Sequence, residues 1–218
     1  MANINLYGYR YSVYTRIVRL VLQIKEQDYD SIEVDPFSAL PPGYLDQHPF
    51  GRVPVLTHGT FSIFETQAIT RYLDSTFPAN PLMPETAKAR ARVDQTITII
   101  DNYGYLPMVR QVFSNRVFAP LEGAPVDEAE ISMGLEASHK VLESLERFAK
   151  EGLILNGQGC TLADCHLAPM IDYFVRAEEG HKLLRAYPAL NTWWWDSIQG
   201  AGILTATDPD LSLLGPKI

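Results

Sequence analysis

Cysteine is nearly absent from this chain: Cys160 and Cys165 are the only two in 218 residues. Both fall in one short segment, so they cannot staple a fold of this size, and a secreted disulfide scaffold is excluded. Buried thiols are the first reading of the pair. No apolar run approaches the roughly 20 residues that cross a bilayer, so no membrane partner is expected. The opening MANINLYGYR lacks the basic and apolar regions of a secretory signal, and a cytoplasmic location is expected. Basic residues are in deficit, 18 Lys and Arg against 26 Asp and Glu for a formal net charge of -8. They are nowhere gathered into a patch that could neutralise phosphates, which argues against nucleic acid. The five histidines, at 48, 58, 139, 166 and 181, never pair with one another or with a cysteine at a zinc spacing, so no metal is implied. Internal repeats and low-complexity tracts are also missing.

What remains is an ordinary globular composition, 46% hydrophobic and 20% charged, long enough for one large or two modest domains. Ile4 and Leu6 alternate with polar neighbours as a strand does. Ile17, Leu20, Val21 and Ile24 then recur at helical spacing, and a second strand-like stretch holds Ile32 and Val34. That is a βαβ unit. A polar, proline-bearing stretch runs from Asp35 to Gly51. Val53, Val55 and Leu56 follow, with His58-Gly59 as a turn signal, Phe61 and Ile63 as a hairpin partner, and Ala68, Ile69, Tyr72 and Leu73 as a helix face. The order βαβ, loop, ββα predicts an α/β domain with a mixed sheet.

Pro78, Pro81 and Pro84 punctuate FPANPLMPE and deny helix, so the domain boundary is placed there. The expected division is 1–77, a linker at 78–86, and 87–218. Beyond the linker the apolar positions step as helices do: Val93, Ile97 and Ile100, then Ile131, Leu135, Leu142, Leu145 and Phe148, with Ser138 as a gap. The second domain is therefore predicted to be all helical. Asp127 with Glu130, and Thr161 with Asp164, resemble capping boxes. Pro107 and Pro169 are expected to kink or shorten their helices.

This layout, together with PFGRVPVL at 49–56, IFETQAITRYLD at 63–74 and CTLADCHLAP at 160–169, resembles the cytosolic glutathione transferases. Their first domain is thioredoxin-like and their second all helical. YSVYTRIVRL at 11–20 resembles more particularly the Ser-type active-site segment of the phi class and its bacterial relatives. The resemblance covers both domains and implies glutathione as co-substrate, with a glutathione-binding first domain and a second domain that forms a pocket for a hydrophobic electrophile.

Site residues follow from the resemblance, each with a physical reason. Pro54 has no N–H to give a sheet ladder, and an X-Pro bond can be cis at low cost. In the family it is cis, so that the backbone of Val53 pairs with the cysteinyl unit of the peptide ligand. Glu65 and Thr66 stand at a strand-to-helix junction, where orphan amides and a hydroxyl hold a carboxylate and an acidic side chain pairs an ammonium. They match the grip on the γ-glutamyl group; a plain helix cap is the alternative. Ser12 precedes the first helix, where its hydroxyl and the helix field would stabilise a thiolate. The phenols of Tyr7, Tyr9 and Tyr11 stand close by as alternatives. No cysteine occupies this segment, which argues against dithiol chemistry. The loop SALPPGYLDQH carries no Lys or Arg, and Arg52 replaces the glutamine usual before the Val-Pro pair. Arg52 is read either as a forked donor to the glycyl carboxylate, helped by His48 or Gln47, or as a solvated side chain.

In the second domain Thr161 and Asp164 are assigned a folding role and His166 a place in the core. Tyr105, Met108, Val109 and Phe113 are candidates for the electrophile pocket, or else an ordinary core stripe. Trp193, Trp194 and Trp195 are consecutive, so one must leave the buried face. The family implies a homodimer, for which Phe50 is a candidate interface anchor unless it is a buried loop aromatic. The expected activity is transfer of glutathione to electrophiles, with detoxification as the role. A non-catalytic binding or interaction module on the same scaffold is the alternative, and glutathione-dependent isomerase, dehalogenase or peroxidase chemistry would use the same site.

Overall fold

In the computed structural model, which describes residues 3–215, the chain divides into two compact units that meet at Leu82 and Met83. The outermost residues of the two expected domains, 1–2 and 216–218, lie outside the described residues. The first unit runs β1 (Ile4–Gly8), α1 (Val13–Ile24), β2 (Asp30–Glu33), α2 (Tyr44–Gln47), β3 (Val55–His58), β4 (Phe61–Phe64) and α3 (Thr66–Thr76). In β1, Ile4, Leu6 and Gly8 are buried and alternate with half-buried Asn5 and Tyr7, as the period of a strand requires. The sheet order is β2-β1-β3-β4. β1 is parallel to β2 and antiparallel to β3, and β4 is antiparallel to β3, which is the mixed sheet expected.

The crossover helix α1 buries Ile17, Val18, Leu20, Val21 and Leu22 and packs on α3. Gly8 permits its approach, because a Cβ there would lie 2.3 Å from Cγ2 of Thr15. α3 buries Thr66, Ile69, Thr70 and Leu73. Ala68, expected on that face, is exposed, so two threonines take part in the buried side in place of a fully apolar stripe. Past the end of α1, buried Lys25 sets its ammonium 2.5 Å from Asp74 Oδ1 and donates to the carbonyls of Ala79 and Asn80 at 3.0 and 2.9 Å. One cation thus ties α1, α3 and the segment after α3.

The polar stretch before β3 is not unbroken loop: the single turn of α2 anchors it. Tyr44 is buried with Val34 and Val55, flanked by Tyr7, Leu40, Val53 and Phe64. Its hydroxyl donates to the carbonyl of Arg52 at 2.7 Å, and burial pushes the phenol pKa up to about 12.

The second unit contains α4 (Ala87–Ile99), a wide-turned π-helical segment (Ile100–Phe118), α5 (Ala119–Leu121), α6 (Glu128–Glu151), α7 (Leu162–Arg176), α8 (Glu178–Leu184) and α9 (Pro188–Thr192). α9 continues into a second π-helical turn at Trp193–Gln199. No strand occurs in it among the described residues. Pro107 and Pro169 do not end or shorten their helices; each lies inside a continuous one. The helix that contains Pro107 is π-helical over Ile100–Phe118 and closes with the Ala119 amide bonded to Ser114 O five residues back. The gap at Ser138 is explained by packing: Ser138 is buried and donates to Gly134 O at 2.7 Å. At Gly134 itself a Cβ would stand 2.7 Å from Gln111 Cβ and 2.8 Å from Pro107 O, so α6 meets the π-helical segment across small residues. α7 is buried on nearly every side, the signature of a helix through the middle of a unit, and His166 sits in that core as expected. Trp193 and Trp194 are buried, and Trp195, 43% exposed, is the one that leaves the face. Among the described residues no helix is long and apolar enough to cross a membrane.

Candidate active site at one end of the sheet

Strand register brings the candidate residues together. Tyr7 pairs with Val55 and Val55 pairs with Phe64. The end of β1, the start of β3 and the end of β4 therefore lie side by side at one end of the sheet. Ser12 follows the first, Val53-Pro54 precedes the second and Glu65-Thr66 follows the third. Tyr7 itself lies in β1 within the same row.

Ser12 is the N-cap of α1, partly exposed and extended in backbone, and its Oγ accepts the Thr15 amide at 3.2 Å. The acceptor side of the hydroxyl is thus engaged while its proton remains available to donate. Tyr9 and Tyr11 meet edge to face with centroids 5.3 Å apart, and Tyr9 also meets Phe37.

The Val53-Pro54 bond is cis, as the resemblance implied. Pro54 is buried and Val53 partly so, while Arg52 is exposed and its carbonyl is held by Tyr44. Tyr44 is a site support that the sequence reading missed; its signal was a bulky aromatic directly after Gly43 in a proline-bearing loop. Gly43 takes φ 77, which glycine tolerates.

Glu65 occupies the N-cap position of α3 with φ 70 and makes no side-chain capping bond. A left-handed φ at a non-glycine residue costs on the order of 1–3 kcal/mol and is typical of functional sites. Thr66, buried, is the first helical residue and not the cap, so the simple capping reading does not describe this junction. The start of α3 keeps amides with no side-chain cap, and an exposed carboxylate stands beside them.

His48 lies against this junction. It is 2% exposed, its ring is 4.7 Å from that of Phe64, and its Nδ1 is buried without a hydrogen-bond partner, as is Gln47 Oε1. Burial lowers the His48 pKa; Glu65 pulls it up and Arg52 pushes it down. Phe50 is 70% exposed, which excludes the buried-aromatic reading.

In the second unit the pocket candidates divide. Met108, Val109 and Phe113 are buried, and Phe113 stacks on Tyr173 at 4.3 Å. These three are packed as core side chains, the second of the two readings given for them, because the apolar stripe of the helix is consumed in packing. Tyr105 alone keeps a partly exposed ring. Among the described residues no group of three or more His, Cys, Asp or Glu is placed to hold a metal ion.

A thioredoxin-like sheet unit with a cis-proline site, followed by an all-helical unit, defines a class of two-domain transferase scaffold. The family models for the glutathione S-transferase N-terminal domain and C-terminal domain match residues 6–81 and 127–193. Glutathione S-transferase F11 of Arabidopsis thaliana is 31% identical over 185 residues, covering 81% of this chain and 85% of its own length. Glutathione S-transferase F10 of the same plant is 32% identical over 155 residues, covering 70% and 72%. Among solved structures, glutathione S-transferase III in apo form matches with a TM-score of 0.83 at 28% identity over 99% of this chain and 100% of its own. Glutathione transferase F7 from Populus trichocarpa matches at 0.79 and 26%, covering 94% and 98%. The chain belongs to the glutathione S-transferase family, with phi-class proteins of plants as relatives.

Proposed function

We propose that this chain activates the thiol of glutathione and transfers glutathione to hydrophobic electrophiles. Residues 1–77 form the glutathione-binding domain, 78–86 the linker, and 87–218 the helical domain that supplies the electrophile pocket, with Tyr105 as its remaining aromatic candidate. The observation that carries the reading is the convergence of Ser12, Val53-Pro54 and the uncapped Glu65-Thr66 junction at one end of the sheet.

Each group has a task in keeping with its surroundings. The Val53 backbone pairs the cysteinyl unit as an added strand would. The amides and hydroxyl at Thr66 receive the γ-glutamyl carboxylate, and Glu65 pairs its ammonium. Arg52 reaches the glycyl carboxylate from solvent, with His48 and Gln47 holding the loop's buried side. Ser12 donates its proton to the glutathione sulfur, and the Thr15 amide, by donating to Oγ, sharpens that donor. The thiol proton leaves to solvent, and the thiolate attacks the electrophilic carbon; as the C–S bond forms, either a leaving group departs with its electron pair or a conjugated π bond takes up the pair and is then protonated from solvent. Rate comes from thiolate stabilisation and from holding the two reactants together. Exposed Phe50 is the proposed anchor of a homodimer, and the cytoplasm the proposed setting for a detoxifying role.

Calorimetric titration of glutathione into the wild type and Ser12→Ala, with thiolate absorbance followed as pH rises, tests the reading. Binding with a depressed thiol pKa in the wild type, restored towards its free value in the variant, is expected. Absence of binding at millimolar glutathione overturns it and favours a non-catalytic binding module.

A further inference from the structure

Outside that site the chain's only two cysteines are neighbours in space. Neither is in a disulfide, and their sulfurs lie 3.6 Å apart. The reason is local. Thr161 is the N-cap of α7, which begins at Leu162, so Cys160 is the residue before the cap and Cys165 the fourth helical residue. Those two positions pack across a capping box as a hydrophobic staple. Here the staple is made of two thiols.

The cap holds the pair from both sides. The Thr161 amide and hydroxyl donate to Asp164 Oδ2 at 2.8 and 2.5 Å. Trp193 Nε1 donates to Asp164 Oδ1 at 2.7 Å, and the Cys165 amide donates to Thr161 O at 3.0 Å. Exposure differs across the pair: Cys160 is partly exposed and Cys165 is buried. An oxidant therefore meets Cys160 first, and Cys165 is the only thiol placed to answer it. The entering segment 156–159 is close-packed at Gly157 against Ser197 and open at Gly159, where nothing lies within 4 Å of an added Cβ. Gly159, next to Cys160, is therefore where the backbone can give as the sulfurs close from 3.6 Å to the roughly 2.05 Å of a disulfide.

We propose that Cys160 and Cys165 are a peroxide-oxidisable dithiol that closes a reversible disulfide across the N-cap of α7. In the first step the Cys160 thiolate attacks a peroxide oxygen; the O–O bond breaks, Cys160 becomes a sulfenic acid and the other oxygen leaves as water or alcohol. In the second the Cys165 sulfur attacks the Cys160 sulfur, the S–S bond forms and the hydroxyl leaves as water with the Cys165 proton. The peroxide is reduced by the two electrons that the thiols lose. Two equivalents of a thiol such as glutathione reverse the link through a mixed disulfide.

The test uses the full, reduced chain exposed to hydrogen peroxide and then alkylated under denaturing conditions. Intact mass and peptide mapping should show loss of both alkylation sites within one chain, a mass lower by two hydrogens and an internal link between the two cysteines. Dithiothreitol should restore both sites. Oxidised wild type should unfold a few degrees higher than reduced wild type, a shift absent from Cys160→Ser, in which Cys165 should stay alkylatable after the same exposure. Three results overturn the proposal: both thiols remain alkylatable after peroxide, Cys160 proceeds to sulfinic acid with Cys165 still reduced, or the link forms between chains.

Discussion

The proposed mechanism gives Ser12 two functions, which different substitutions separate. As the N-cap of α1 its Oγ accepts the Thr15 amide at 3.2 Å, the long end of the N–H···O range, so its capping value belongs at the low end of the usual span, about 0.5–1 kcal/mol. As a donor to a thiolate it makes a hydrogen bond to a charged group, worth about 1.5–3 kcal/mol. At about 1.36 kcal/mol per pKa unit that is a depression of roughly one to two units from a free thiol near 8.5. Ser12→Ala loses both functions. Ser12→Gly loses the hydroxyl, yet glycine at an N-cap costs only a few tenths of a kcal/mol. The thiol pKa of bound glutathione, followed by thiolate absorbance, should therefore rise by about one to two units in both variants. The urea midpoint should fall measurably only in Ser12→Ala. A depressed thiol pKa that survives in Ser12→Gly would refute the assignment and turn attention to Tyr7, Tyr9 and Tyr11.

Lys25→Met strips the cation from half-buried Asp74, which keeps the Leu82 amide, and from the carbonyls of Ala79 and Asn80; a cost of about 2–3 kcal/mol is expected, read as a lowered urea midpoint for the first unit. Asp164→Ala removes the acceptor for Thr161 and for Trp193 Nε1 and should cost about 3–5 kcal/mol by leaving buried donors unpaired, with a change in tryptophan fluorescence. His48 has a folded pKa held below its ordinary 6.5, chiefly by burial. Its contribution to stability is complete above 6.5 and is lost as pH falls from there through the lower folded value. The urea midpoint should thus decline as pH falls below about 6.5, and His48→Gln should flatten that part of the profile.

Strand and helix order, the linker prolines and the capping pair at Thr161 and Asp164 were legible because each rests on spacing along the chain: period two in β1, helical steps in α1 and α6, and an acid three residues past a threonine. The errors arose where tertiary contact overrides spacing. Ser138 broke an apolar stripe and is nonetheless buried, because its hydroxyl is satisfied within the helix by Gly134 O. Pro107 and Pro169 looked like interruptions, yet each lies inside a continuous helix, the first in a wide-turned one. Met108, Val109 and Phe113 were open to both pocket and core readings, with core the commoner outcome for a helical apolar stripe; their burial and the stacking of Phe113 on Tyr173, 60 residues further along the chain, agree with core. The part played by Tyr44 was invisible for the same reason, its partner being a backbone carbonyl eight residues away.

The candidate site depends on register more than on any one side chain. Ser12, Val53-Pro54 and Glu65-Thr66 are far apart in sequence and adjoin because Tyr7 faces Val55 and Val55 faces Phe64. A slip of β3 by one residue would exchange the faces of Val55 and Leu56, both fully buried, and of half-buried Thr57 and His58. It would also move Val53 one residue along from Glu65. Two local features oppose the slip. Gly59, at φ 60, sets a two-residue connection between β3 and β4, which fixes the pairing of that hairpin. On the other side, the Asn5 side chain donates to Thr57 Oγ1 at 3.0 Å, a cross-strand bond that the slipped pairing could not make. The chemistry at the end of the sheet is therefore held in place by a turn and a side-chain pair at the middle and far end of it, neither of which touches the site.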